Sequence, residues 1–258
     1  MTGIWSEAAQ WLSDSSALKA LAPTGRLRVG VAVGKARSAV WTCRDAAGRP
    51  QGVTVDIARR MAEMAELPLD LVEHDSSGAI IAAAASGTWD VAFAPVDDER
   101  RAVVDFGAAH YLGESVHLLP EGSAIRALAD VNRAGVRIVG VENTATLRSA
   151  RRTAPLATAS GAATLDEALS LFRSGEADTL ALGRESLMSL LPALPGARLL
   201  DEPFHFAATA VAAPKGRGAA IEIASALIED MKADGVLRSS FDRWGMAEAA
   251  VAPAGARG

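Results

Sequence analysis

Two arginines stand at matching places in a repeated pattern. The segments AIIAAAASGTWDVAFA (79–94) and EALSLFRSGEADTLAL (167–182) each read as an apolar helix, then Ser-Gly, two residues, an Asp and an apolar strand. Arg100 follows the first strand and Arg184 the second. A guanidinium is a planar fork of donors that fits a carboxylate through two parallel hydrogen bonds. In open α/β sheets, solutes sit outside the carboxyl ends of the strands. Two strands of this kind, each with an arginine beyond its end, point to two lobes that handle an anion. The alternatives are plain helix-to-strand punctuation for Gly-x-x-Asp and, for Arg100, a surface ion pair with Asp97 or Asp98.

A second anion-handling feature is the stretch Asn143, Thr144, Ala145, Thr146, where a strand turns into a helix. The first backbone N–H groups of a helix lack intrahelical partners, and the helix dipole favours negative charge there. The same residues serve equally as a plain helix cap. Proton-transfer chemistry would need a carboxyl raised in pKa by burial, for which Glu142, Asp97 and Glu114 are the candidates. Cys43 is the only cysteine and the four histidines, at 74, 110, 117 and 205, have no metal-ligand spacing. Neither a thiolate cluster nor a structural metal is expected, and no cofactor is implied.

The elements that must position these groups alternate along the chain. Strands are expected at 26–33, 69–74, 90–95, 136–141, 178–182 and 205–213, with an amphipathic helix at 56–67, a turn at 48–52 and a linker with a short helix at 122–135. That alternation is the signature of an α/β protein with mostly parallel sheets. The chain has 258 residues, which allows one or two domains. Half of them are apolar, yet the longest uninterrupted apolar run, 79–85, falls far short of the ~20 residues that span a bilayer. Membrane insertion is not expected, and a net charge of −5 argues against an electrostatic nucleic-acid binder. Ile4, Trp5, Ala8, Trp11 and Leu12 read as a leader helix within 1–23 docked by its apolar side. Glu7, Gln10 and Asp14 interrupt its apolar residues, so no secretory signal is read and a cytoplasmic location is expected, or a periplasmic one if the true start lies upstream.

Longer motifs carry a resemblance. GTWDVAFAPVDDERRAVVDFGAAHY (87–111), GRPQGVTVDIARRMAE (48–63), VRIVGVENTATLRSA (136–150) and KADGVLRSSFDRWGM (232–246) occur in the order found in the polar amino-acid (family 3) solute-binding proteins of ABC transporters. The chain resembles that family over roughly 24–248, as a divergent member. The resemblance implies the periplasmic-binding-protein type 2 fold: α/β, two-lobed, with a ligand cleft between the lobes. Lobe 1 would be 24–112 plus 209–248, lobe 2 would be 113–208, and 249–258 would be a flexible tail.

Carried over, Arg100 takes the position that holds a ligand carboxylate in the family, and Thr146, beside Ala145, that of a threonine clamping it from the second lobe. This sequence departs from the family where an acidic residue would take the ligand ammonium, since Gly183 and Arg184 stand there. Lys35 replaces an acidic position after the first strand, and Trp41 is the aromatic candidate nearby. With Lys35, Arg100 and Arg184 in the cleft, the expected partner is a small anionic solute. The alternative is that Asp97 or Glu142 takes an ammonium. An ABC permease is the further partner implied, with the chain a monomer. The resemblance also keeps a cyclohexadienyl-dehydratase-like enzyme and a cytoplasmic ligand sensor as alternatives to a binding protein.

Overall fold

The computed structural model describes residues 11, 14–33, 42–142 and 144–258. Lys35, Trp41 and Asn143 lie outside the described residues, as does most of the expected leader helix. In chain order the elements are α1 (Ser15–Leu21), β1 (Leu27–Ala32), β2 (Cys43–Arg44), β3 (Pro50–Gln51), α2 (Val53–Met64), β4 (Leu69–His74), α3 (Ser77–Ala82), β5 (Val91–Pro95), α4 (Asp98–Arg101) and β6 (Val104–Leu119). They continue as α5 (Leu128–Val131), β7 (Arg137–Val141), α6 (Ala145–Thr153), β8 (Thr158–Ala162), α7 (Leu165–Arg173), β9 (Thr179–Gly183), α8 (Arg184–Leu190), β10 (Arg198–Leu199), β11 (His205–Pro214), α9 (Gly218–Ala233) and α10 (Val236–Arg243).

The chain forms two compact units. The first runs to Leu112 and resumes at Ala208, and the second is Gly113–Ala207, so both passages fall inside the long strands β6 and β11. In the first unit β4, β1 and β5 are parallel neighbours, with Val29 opposite Leu71 on one side and Val91 on the other. β11 then joins β5 antiparallel. Val29, Val91, Phe93 and Val211 are all buried, and α2 and α9 add Ile57, Met61, Leu227 and Ile228 to the same core. In the second unit β8, β7 and β9 are parallel, and β9 pairs antiparallel with β6. α7 closes that sheet with Leu169 and Phe172.

The repeated Gly-x-x-Asp pattern has the same structural role in both units. Gly87 and Gly175 both adopt the left-handed conformation, which a side chain would disfavour. Asp90 then accepts from the Arg28 backbone N–H at 3.0 Å, from its Nε at 3.0 Å and from its Nη2 at 2.8 Å, while Arg28 Nη1 donates to the Gly87 carbonyl. Asp178 does the same with Arg137, at 2.8, 3.0 and 2.6 Å, and Arg137 Nη2 reaches the Gly175 carbonyl. Each aspartate therefore ties its own strand to the start of the neighbouring parallel strand. It sits at the strand's entry, away from the end at which Arg100 and Arg184 follow.

The expected flexible tail is corrected by the structure. Residues 249–258 lie along β6, with bridges Tyr111 to Val251 and Ala108 to Arg257. Ala109 and Leu112 donate their backbone N–H groups to the carbonyls of Ala256 and Ala250, at 2.8 and 2.9 Å. Side chains of α9 hold the segment from the other side: Lys232 Nζ donates to the Pro253 carbonyl, Glu229 accepts from Gly255 N–H, and Glu222 forks with Arg257. A run of small residues reads as loop-like by composition, but it is also what fits flat against a strand edge beneath a helix.

Candidate functional site

In the first unit the candidate residues gather at the end of β5. Asp97 caps α4, its Oδ1 accepting from Arg100 N–H at 2.8 Å, as short polar side chains do at helix starts. The Arg100 side chain folds back on the strand end. Its Nη1 donates to the Pro95 carbonyl at 2.9 Å and its Nη2 to Ser77 Oγ at 3.3 Å. The Asp97 carboxylate is 3.5 Å away, a loose ion pair, and the Arg100 side chain stays 22% exposed. Two of five guanidinium donors thus rest on neutral oxygens and the charge is only weakly matched. Arg101 sits 6.0 Å from the centre of the Phe106 ring.

In the second unit the turn between β7 and α6 behaves as its residue types demand. Thr144 is the N-cap: its Oγ1 accepts from Leu147 N–H at 3.2 Å and donates to the Val141 carbonyl at 2.7 Å. Ala145 opens the helix, and Thr146 Oγ1 lies 3.1 Å from Ser115 Oγ on β6. Further along β6, His117 Nδ1 is 3.1 Å from Thr179 Oγ1, and the ring packs on Phe204 with centroids 4.4 Å apart. Burial pushes the His117 imidazole down to about 4, so it is neutral at ordinary pH. His205, at the start of β11, is lowered by burial and then by the Arg152 charge.

Two of the candidate residues already have charged partners. Arg184 is not an uncommitted cation, because its Nε meets Glu114 Oε2 at 2.5 Å and its Nη2 donates to the Asp201 carbonyl at 2.6 Å. Glu142 is paired as well, since Arg151 forks onto it at 3.0 and 3.3 Å, and its side chain lies over Gly161, where a Cβ would collide. Ser77 and Ser115 were missed. Ser77 follows the helix-cap serine Ser76, a recognisable start signal. Ser115 carries no signal in the sequence, because its meeting with Thr146 depends on the pairing of distant strands. Among the described residues no group of histidine, cysteine or carboxylate side chains could hold a metal ion.

Two α/β units joined through two long strands give the fold of the two-lobed periplasmic binding proteins. Residues 28–247 match the bacterial extracellular solute-binding proteins, family 3, and the chain belongs to that family. That family is one of solute-binding proteins. Among solved structures, the ancestral amino acid-binding protein AncCDT-1, a precursor of cyclohexadienyl dehydratase, superposes with a TM-score of 0.69 at 21% identity, covering 88% of this chain and 98% of that one. The P235GK mutant of ArgBP from T. maritima gives 0.66 at 17% identity, with 89% and 99% covered. The periplasmic domain of BvgS from B. pertussis gives 0.69 at 20%, covering 90% of this chain and 45% of that one. At these identities the likeness is one of fold. Among curated proteins none matches the chain.

Proposed function

We propose that the protein binds a small, carboxylate-bearing, amino-acid-like solute, with Arg100 as the carboxylate anchor of the first unit, and delivers it to an ABC permease. The observation that carries the reading is the state of the Arg100 guanidinium: partly exposed, supported by the Pro95 carbonyl and Ser77, and only loosely paired with Asp97 at 3.5 Å. Thr146 and the start of α6 are the corresponding group on the second unit, as the family resemblance implies. The names of the solved relatives, an amino acid-binding protein and an arginine-binding protein bound to arginine, support the ligand class.

The solute is anionic overall in this reading. Glu114 and Glu142 are each paired with an arginine of their own unit, Arg184 at 2.5 Å and Arg151 at 3.0 Å, so these two carboxylates are already charge-matched. A thermal-shift screen of amino acids, mono- and dicarboxylates and phosphorylated acids tests the proposal. A ligand at ~100 times its Kd adds about 2.7 kcal/mol of stability. Acids without an ammonium group should stabilise more than lysine, arginine or histidine. Stabilisation confined to those cationic amino acids would overturn the anionic assignment.

A further inference from the structure

The first unit carries a groove of about 260 Å³ between α2 and the α9–α10 corner that the reading above does not use. Its floor is apolar: Ile57, Met231 and Leu237 line it and are each buried. Its rim is guanidinium, from Arg59 and Arg60 on α2 and Arg243 at the end of α10. A concave apolar surface with a few convergent polar groups is the usual form of a small-molecule site.

The rim arginines are paired more loosely than several arginines elsewhere in the protein. Arg26, Arg137 and Arg257 hold their carboxylates at 2.6, 2.6 and 2.5 Å. Around the groove the ion pairs are long: Arg243 to Asp56 at 3.4 Å, Arg60 to Glu63 at 3.5 Å and Arg59 to Asp56 at 3.8 Å. Asp56 is shared by two of them, and its Oδ2 already accepts from Ser240 Oγ at 2.7 Å and Trp244 Nε1 at 2.9 Å. Arg60 Nε is buried without any hydrogen-bond partner. A buried donor without an acceptor is unfavourable, so the Arg60 guanidinium is poorly satisfied where it stands. Three guanidinium groups against two carboxylates leave the rim positive.

We propose that this groove binds a small organic carboxylate with an apolar body, the carboxylate held by Arg60 and Arg243 and the body resting on Val236, the partly exposed apolar residue of the lining, above the buried Ile57, Met231 and Leu237. Both parts are needed, since the floor offers nothing to a bare inorganic anion and the rim nothing to a neutral hydrocarbon. The site stands apart in sequence from Arg100 and does not depend on its role.

The test is an amide chemical-shift titration of the full chain with sodium benzoate, with benzamide and sodium phosphate in parallel. Benzoate should move the amides of 56–63 and 236–243 saturably, and benzamide should not. Arg60→Gln with Arg243→Gln should weaken that titration at least tenfold, and Arg243→Gln alone, at a well-exposed position, at least threefold should the pair fail to fold. Arg100→Ala should leave it unchanged. Absence of saturable shifts in those stretches, an equal response to benzamide, loss in Arg100→Ala, or indifference to the Arg243 change would each overturn the proposal. Phosphate binding as tightly as benzoate would overturn the apolar-bodied ligand.

Discussion

Substituting Asp90 and Asp178 in turn by alanine compares two copies of one interaction in two settings. Both aspartates fork onto an arginine and accept the same backbone N–H, yet the Asp90 side chain is fully buried whereas that of Asp178 is 36% exposed. Asp90 also receives Arg217 Nη1 at 3.1 Å, and Arg217 Nη2 donates onward to the Ala20 carbonyl at 2.7 Å, tying down the end of α1. Breaking a buried pair by removing one partner costs about 3–5 kcal/mol. Because Arg28 and Arg217 remain 24% and 22% exposed and can turn toward water, the low end, about 3 kcal/mol, is expected for Asp90→Ala. For Asp178→Ala the exposed pair contributes up to about 1 kcal/mol, and the lost bond to Arg137 N–H about 1 more. At ~2–4 °C per kcal/mol the two variants should lower Tm by about 6–12 °C and about 2–8 °C. Urea unfolding followed by tryptophan fluorescence measures the difference, and hydrogen exchange at 15–21 reports the α1 contact. A loss for Asp90→Ala no larger than that for Asp178→Ala would refute the claim that burial and the second arginine set the strength.

The remaining expectations concern the tail and pH. Deleting 249–258 should accelerate exchange of the Ala109 and Leu112 amides by at least tenfold, because their acceptors leave with it; unchanged protection would show that the segment does not cover β6 in solution. The hydrogen bonds from Arg137 hold the Asp178 carboxyl below its ordinary 3.8, so its contribution is present above pH 3.8 and is lost as pH falls through the lower folded value. Asp178→Asn should therefore differ from wild type at pH 6 and converge with it in acid, and a constant gap would contradict this. His117 is lowered to about 4 from 6.5, so the unfolded chain takes up the proton first and stability falls as pH drops from about 6.5 toward 4. His117→Gln should flatten that slope in pH-dependent urea curves, and an unaltered slope would assign it elsewhere.

What the sequence discloses here depends on how local the cause is. The parallel strands at 27–32, 69–74, 91–95, 137–141 and 179–183 were legible within a residue or so of their ends, because β-branched runs and glycine stops act locally. β6 was seen only in part: its first half falls in the motif 87–111, and nothing marks the sixteen residues Val104–Leu119 as one strand crossing between units. β8, TASGA, has too little apolar content to announce itself and becomes a strand through its pairing with β7. The Thr144 cap was legible because it belongs to a short strand-to-helix motif. The partner of Arg184 was not, since Glu114 is seventy positions away and only the β6–β9 pairing brings the two together. The tail shows the same limit, as its small residues acquire structure only from the edge they cover.

The central claim is that the Arg100 guanidinium takes the carboxylate of the solute, and calorimetric titration of wild type and Arg100→Ala with the best-stabilising acid from the thermal-shift screen tests it most directly. Removing the partner of a desolvated carboxylate costs about 2–5 kcal/mol, so affinity should fall by at least ~30-fold. Arg100→Lys should recover only part of the loss, because an ammonium cannot reproduce the planar fork. An Arg100→Ala protein that is folded and binds the same acid with unchanged affinity would contradict the account.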